Sequence, residues 1–229
     1  MKKKIIVTID GPAGAGKSTM AKLVAKKLDY LYVDTGAMYR TITWKVLENR
    51  ISLKDKKNIV KLAENTDIKL IQKKDKLKVL AGGRDVSGKI RTEEVGKSIN
   101  IVSAIPGVRN ILRKKQREMG RSGGIVMEGR DIGTAVFPEA EKKFYLDADP
   151  HERALRRWKE LKSKGETVSL KRIESAIIKR DYLDKHRAVS PLKKAKDAVV
   201  INSTGLRIPQ VVDIMVKEIG MTARRAQEL

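Results

Sequence analysis

IIVTIDGPAGAGKST, residues 5–19, runs from five apolar or β-branched residues through a glycine-rich turn into residues that favour a helix. Residues 4–9 read as a buried strand. Lys17 to Leu28 read as a helix with Met20, Leu23, Val24 and Leu28 on one face. The turn fits G-x-x-x-x-G-K-[ST] at Gly11, Gly16, Lys17 and Ser18. Glycines let the backbone wrap closely around an anion, so that successive N–H groups point inward, and the helix beginning at Lys17 adds its positive dipole end. Lys17 can reach the outer phosphates of a nucleoside triphosphate, and the Ser18 hydroxyl can coordinate Mg²⁺. Gly11, Pro12, Ala13, Gly14, Ala15, Gly16, Lys17, Ser18 and Thr19 are therefore the candidate ATP-binding residues.

The loop alone suits kinases, GTPases, helicases and transporter motors equally, so the destination of the phosphate has to be read elsewhere. Short apolar strands recur at 30–34, 124–128, 143–147 and 198–202, mostly separated by helical segments. Continuous apolar runs divided by helices imply a five-stranded parallel sheet covered on both faces, an α/β fold of the P-loop NTPase type. The last helix, IPQVVDIMVKEI, places Ile208, Val211, Val212, Met215 and Ile219 at helical spacing, with Pro209 tolerated in its first turn. Residues 66–90 differ: DIKLIQ and KLKVLAGG alternate around KKD and read as a small antiparallel hairpin inside an inserted subdomain. Two helices, about 92–102 and 106–119, return the chain to the strand at 124. The end, MTARRAQEL, is expected to fray.

The chain has 229 residues, 41% of them hydrophobic, enough for a substantial core in one domain with inserts. Cysteine is absent, which excludes a disulfide framework or thiolate metal cluster and, with a nucleotide motif, favours the cytoplasm. MKKKIIVTIDGPAG has the charged front of a signal peptide, but its apolar run is too short to be one. No stretch approaches the length of a membrane span. The formal net charge of +23 invites a nucleic-acid reading. Against it, the lysines are scattered in short runs at 54–57, 73–78 and 193–196, and aromatic content is only 4%, too low for base-stacking platforms. A solvated lysine-rich surface accounts for the charge. A basic funnel for anionic substrates, or nucleic-acid affinity, is the alternative.

Other clusters sit where open α/β sheets bind ligands, at the carboxyl ends of strands. DTGAMYR, 34–40, brings Thr35 and Arg40 to the end of the second strand. Asp34 there could approach a metal, and Asp34 or Thr35 could equally cap the following helix. Arg91 and Arg109 follow, then MEGRDIGTAVFP, 127–138, whose strand ends in Glu128, Gly129, Arg130 and Asp131. In KRDYLDKHRAVSP, Arg180, Asp184 and Arg187 are spaced by four and three, so a helix would put them on one face, as a site or as a surface ion-pair ladder.

IDGPAGAGKST, VDTGAMYR, VSGKIRTEEV, EGRDIGTAVFP, FYLDADPHERALRR and KRDYLDKHRAVSPL, in this order and spacing, resemble the bacterial cytidylate kinase family. The match covers nearly the whole chain apart from the lysine-rich hairpin and the C-terminal tail. EGRDIGT followed by FP, and RDxxDxxRxxSPL, are far more specific than the phosphate loop. The resemblance implies a nucleoside monophosphate kinase fold with core segments at about 1–60, 104–150 and 190–220, an NMP-binding insert at about 61–103, a helical lid at about 151–168 and a tail at 221–229. It implies phosphoryl transfer from ATP, with Mg²⁺, to CMP or dCMP in pyrimidine nucleotide metabolism.

In similar proteins the positions of Arg40, Arg130 and Arg187 engage the acceptor phosphate. Those of Thr35, Arg180 and Asp184 approach its sugar, and those of Asn100, Arg109 and Asp131 face cytosine. Tyr39 joins them among the CMP-binding candidates. The family often has serine where this chain has Asn100. Cytosine offers a donor at N4 and acceptors at N3 and O2, to which a carboxylate and an arginine are complementary. HERALRRWKELKSKGE, 151–166, resembles the family's lid, with Arg153, Arg156 and Arg157 at helical spacing. Lys17, Arg130, Arg187, Arg153 and Arg157 are thus the catalytic candidates, and Trp158 reads as a packing residue. No general base is needed, because the attacking phosphate oxygen is already ionised. A monomer that requires no nucleic acid or membrane is expected. Another small-molecule kinase of the same fold, or a nucleic-acid-binding NTPase, is the alternative.

Overall fold

The computed structural model describes residues 4–73, 76–163 and 165–225, and it divides into two units, 1–32 with 122–229, and 33–121. The expected insert at 61–103 covers only the middle of the second unit, which also takes in the flanking helices.

The first unit is built on β1 (Ile6–Asp10), β6 (Ile125–Gly129), β7 (Lys142–Asp147) and β8 (Val199–Asn202), with β2 (Leu31–Asp34) crossing the unit boundary after Tyr32. The five strands form one sheet in the order β2-β6-β1-β7-β8. β1 pairs in parallel with β6, Ile6 opposite Ile125, and with β7, Asp10 opposite Tyr145. β7 pairs in parallel with β8. Every residue of β6 is buried, as a strand covered on both faces requires.

α1 (Lys17–Leu28) buries Lys17, Met20, Ala21, Val24 and Ala25. The expected face was wrong in part: Leu23 is exposed, because the alanines at i+1 of Met20 and Val24 supply the close-packed edge of the stripe. α8 (Ile208–Arg225) buries Val211, Val212, Met215 and Ile219 but leaves Ile208 exposed at its first turn. The helix continues through Arg225 where fraying was expected from 221, and residues 226–229 lie outside the described residues. α6 (Pro150–Ser163) and α7 (Leu170–His186) pack through Ala154, Leu161, Ile173 and Ile177, with Trp158 against them, the packing role expected for it. Ser169 caps α7, accepting from the Arg172 amide at 3.3 Å.

The second unit contains α2 (Thr35–Glu48), α3 (Lys56–Glu64), α4 (Glu93–Ser103) and α5 (Pro106–Gly120) around Met38, Ile42, Val46, Ile59, Val102, Val108 and Leu112. Asp55 and Thr92 cap α3 and α4, and Pro106 opens α5. β3 (Ile68–Lys73), β4 (Lys76–Ala81) and β5 (Arg84–Asp85) form an antiparallel sheet. The expected hairpin is therefore present with a third short strand added by GRD. The KD of its turn, 74–75, lies outside the described residues. Among the described residues no helix is long and apolar enough to cross a membrane.

Candidate active site

β1 delivers the chain to Gly11, whose φ of +150° disfavours a side chain. A Cβ there would lie 2.0 Å from the Leu146 carbonyl oxygen on neighbouring β7, so only glycine lets the loop leave the sheet at this point. Gly14, at φ +77°, turns the loop where a Cβ would press on the Arg153 Cβ at 3.2 Å. α1 then starts at Lys17, with its first N–H groups unsatisfied from within the helix.

Lys17 is buried, and its Nζ donates to the Pro12 carbonyl at 2.5 Å. Burial and then the Arg130 guanidinium push this ammonium down to about 7, against the pull of Glu128 and Asp10. Ser18 and Thr19 are exposed at the helix mouth. Ser18 offers a single hard oxygen, and no group of three or more His, Cys, Asp or Glu side chains suited to a metal exists among the described residues. That donor set fits Mg²⁺ bound mainly through phosphate oxygens and water, and does not fit an all-protein metal cage.

The loop is held from behind. Asp181 Oδ1 accepts from the Ala13 amide at 3.1 Å, and Asp181 Oδ2 takes the Arg153 Nη1–H at 2.6 Å. Arg153 Nη1 also donates to the Ala13 carbonyl at 2.8 Å and Nε to the Ala148 carbonyl at 2.9 Å. The structure thus buries Arg153 against the loop and leaves Arg157 half exposed on α6, paired with Glu160 at 2.7 Å. A cavity of about 410 Å³ opens beside this clasp, lined by residues including Pro12, Tyr145, Ala148, Arg153, Lys185 and Thr204.

The second charge system lies at the carboxyl end of β6. Arg130 Nε donates to Asp184 Oδ2 at 2.8 Å, and Arg187 lies 3.5 Å from Asp184 and 3.4 Å from Asp131. Arg187 Nε is fixed by the Ser190 carbonyl at 2.6 Å. Burial works to discharge Arg130, but Asp184 and Glu128 outweigh it and hold the guanidinium above its ordinary range. Burial likewise works to protonate Asp184, and Arg130, with Arg180 and Arg187 behind it, holds the carboxyl below its ordinary range. Four charges in one buried cluster, each neutralised by another, make a rigid platform that can trade partners with an incoming anion. One expectation needs correction: α7 ends at His186, and Arg187 stands beyond it in extended backbone, so the three residues do not share one helical face. The extended turn is what allows Arg187 to reach both Asp131 and Ser190.

In the second unit, Asp34 accepts from the Ala37 amide at 2.8 Å and so caps α2, while its other oxygen binds Arg40 Nη2 at 2.7 Å. Arg91 stands 3.7 Å from the same carboxylate. Asp34 thus serves as the α2 cap and as a partner of both arginines. Arg40 Nε is buried with no hydrogen-bond partner among the described residues, a donor left over for an anion. Thr35 is buried in the first turn of α2. Arg109 is buried, donates to the Ser103 carbonyl at 3.1 Å, and lays its guanidinium 5.3 Å from the centre of the Tyr39 ring. Asn100 is half-buried on α4, and its carbonyl accepts from Ser103 Oγ at 3.5 Å.

Two supporting residues, Asp181 and Asp10, escaped the sequence reading. Asp181 and Asp184 continue the buried stripe that Ile173 and Ile177 begin on α7, and carboxylates on an apolar stripe were the available signal. Asp10, directly before Gly11, ends an otherwise apolar strand and is buried. Glu128 accepts from the Tyr32 hydroxyl at 2.7 Å.

A family model described as cytidylate kinase matches residues 7–221. A relative named cytidylate kinase from Carboxydothermus hydrogenoformans is 49% identical over 214 residues, covering 93% of this chain and 96% of that one. Another of the same name, from Bacillus subtilis, is 46% identical over 224 residues, covering 98% of this chain and all of that one. Among solved structures, an uncharacterized protein from Eubacterium ventriosum matches 95% of this chain and 99% of its own with a TM-score of 0.50 at 15% identity, a likeness of fold alone. With a family model spanning nearly its full length and relatives almost half identical across it, the chain belongs to the cytidylate kinase family.

Proposed function

We propose that this chain transfers the γ-phosphoryl group of ATP to CMP or dCMP, giving ADP and CDP or dCDP, a step of pyrimidine nucleotide metabolism. The observation that carries the reading is a phosphate loop with a buried lysine in the same unit as a second anion platform, the Arg130–Asp184–Arg187–Asp131 cluster. A nucleotide-hydrolysing motor needs the first; a kinase that takes a phosphorylated acceptor needs both.

Gly11 to Thr19 bind the triphosphate, with the adenosine end directed to the cavity beside Arg153. Lys17 neutralises the outer phosphates. When bound, Mg²⁺ supplies further neutralisation of the transferring group, and the Ser18 hydroxyl is the protein ligand that would hold it. Arg40, Arg130 and Arg187 bind the acceptor phosphate, Thr35, Arg180 and Asp184 its sugar, and Asn100, Arg109 and Asp131 the cytosine, with Tyr39 backing Arg109. Phosphoryl transfer asks the protein for alignment, charge neutralisation and a dry site rather than covalent chemistry. The acceptor oxygen is already ionised, so neither Asp131 nor Glu128 serves as a base. α6 and the residues after it, 151–168, act as a lid through Arg157, while Arg153 holds the loop. The working form is a cytoplasmic monomer.

The test is a coupled assay across CMP, dCMP, UMP, AMP and GMP. A bidentate base contact discriminates by about 1–3 kcal/mol, so CMP should exceed UMP about ten- to a hundredfold in kcat/KM. Equal rates for CMP and UMP would remove the base-reading assignment.

A further inference from the structure

Asp10 ends β1 with its side chain 4% exposed, and each of its carboxylate oxygens holds a different backbone amide. Oδ1 accepts from Ile132 at 2.9 Å and Oδ2 from Gly133 at 2.7 Å. These amides open the single wide helical turn Ile132–Val136, whose own cap residue is Asp131, and the Asp131 side chain makes no capping bond. The Asp10 carboxylate therefore fixes the peptide planes directly after Asp131 from the sheet side. A Cβ on Gly133 would stand 2.9 Å from Thr8 Oγ1 and 3.4 Å from Asp10 Oδ2, so the turn is seated on β1 with no room to slide. On its other side Asp10 is bonded to Gly11, the first residue of the phosphate loop. Burial, with the neighbouring Asp131 charge, pushes the carboxyl up to about 6, while the two amides and the Lys17 charge pull it back, so at neutral pH both oxygens still accept.

We propose that Asp10 is a positioning residue that registers the phosphate loop against the turn directly following Arg130 and Asp131, so that one buried carboxylate sets the donor and acceptor groups relative to each other. The proposal rests on the reading of Asp131 as the cytosine contact. Misplacing a binding group by about 1 Å can cost on the order of a hundredfold in rate, so loss of one arm of the clamp should be visible in catalysis before it is visible in folding.

Asp10→Asn keeps the shape but replaces one acceptor with an N–H₂ that faces a backbone N–H. Expected is a fall of about thirtyfold in kcat with CMP and a narrowing of the CMP to UMP ratio by about tenfold, with the KM for ATP changed less than about twofold. A variant that melts earlier but keeps its kcat per folded molecule and its acceptor ratio would reduce Asp10 to a fold residue and overturn the proposal. If Asp10→Asn does not fold, amide exchange in the wild-type protein decides. The Ile132 and Gly133 amides should exchange at least about a thousandfold slower than in an unstructured peptide, and unprotected amides overturn the clamp. A wild-type enzyme without cytosine preference would instead sink the functional reading, and the exchange measurement would still decide the clamp.

Discussion

Lys17 is held in a state that suits an incoming anion. Its ammonium is buried beside Arg130, and its ordinary value of 10.5 is pushed down to about 7, so above neutral pH much of it is uncharged until phosphates arrive. Binding ATP restores the charge, and the proton must come from solvent. At pH 8, calorimetry of ATP binding in two buffers of different ionisation enthalpy should therefore show uptake of nearly one proton, about 0.9. Heats that do not depend on the buffer would contradict it. The same shift governs the nucleotide-free protein. The folded chain binds this proton less tightly than the unfolded chain, so the burden of the buried charge is full below pH 7 and lifts as pH rises toward 10.5. Lys17→Met keeps the aliphatic bulk without that burden. It should raise the melting temperature at pH 7 by about 4 °C or more while cutting kcat by more than about a hundredfold. A variant both less stable and fully active would overturn both halves of the argument.

α6 and α7 reach the phosphate loop through one buried ion pair, Arg153 with Asp181, whose further hydrogen bonds are made to Ala13 and Ala148. Removing one member of such a pair strands the other in a dry site, at a cost of about 3–5 kcal/mol, or roughly 10 °C in a chain of this size. Asp181→Ala should therefore melt early and raise the KM for ATP about tenfold, with the KM for CMP changed less than about twofold. Arg153→Met with Asp181→Leu should recover the melting temperature without recovering the KM, because the Ala13 amide still lacks its acceptor. Recovery of both would show that the clasp serves the fold only. The helices and strands of this region were legible because apolar periodicity reports burial, and the loop because its residue types are set by contact with an anion. The clasp was not legible: Arg153 reads as one of three lid arginines closing over the substrates, and only tertiary packing turns it against the phosphate loop while leaving Arg157 on the surface. The stop of α7 before Arg187 was hidden for a related reason, since spacing of four and three suits a helix and the Ser190 carbonyl that captures Arg187 lies outside any periodic pattern. The alanines of α1 show the same limit, because a small residue gains its place in a core from what approaches it.

Across the whole molecule the excess of 51 lysines and arginines over 28 acids exceeds anything the site consumes. Much of it stands on exposed side chains, and pairs such as Lys27 with Asp213 or Lys97 with Glu93 are open to water, where each contributes at most about 1 kcal/mol. Stability is therefore not what the charge supplies. A positive field does raise the local concentration of anions, and both substrates are anionic. The field of exposed charges decays over about 10 Å at 0.1 M salt and over about 3 Å at 1 M. The KM values for ATP and CMP should accordingly rise together, about threefold or more, between roughly 50 and 300 mM KCl, while kcat, which on the proposed function depends on buried groups such as Lys17 and Arg130, stays within about a factor of two. Polynucleotide binding would leave a different signature: ATP turnover stimulated by RNA or DNA, lost on nuclease treatment, with an affinity for the polymer that falls far more steeply with salt because many counterions are released at once. Full CMP-dependent turnover in nuclease-treated protein, unmoved by added RNA, is the expected result. Stimulation by RNA would make the basic surface a polymer-binding face, and the acceptor platform would then need another explanation.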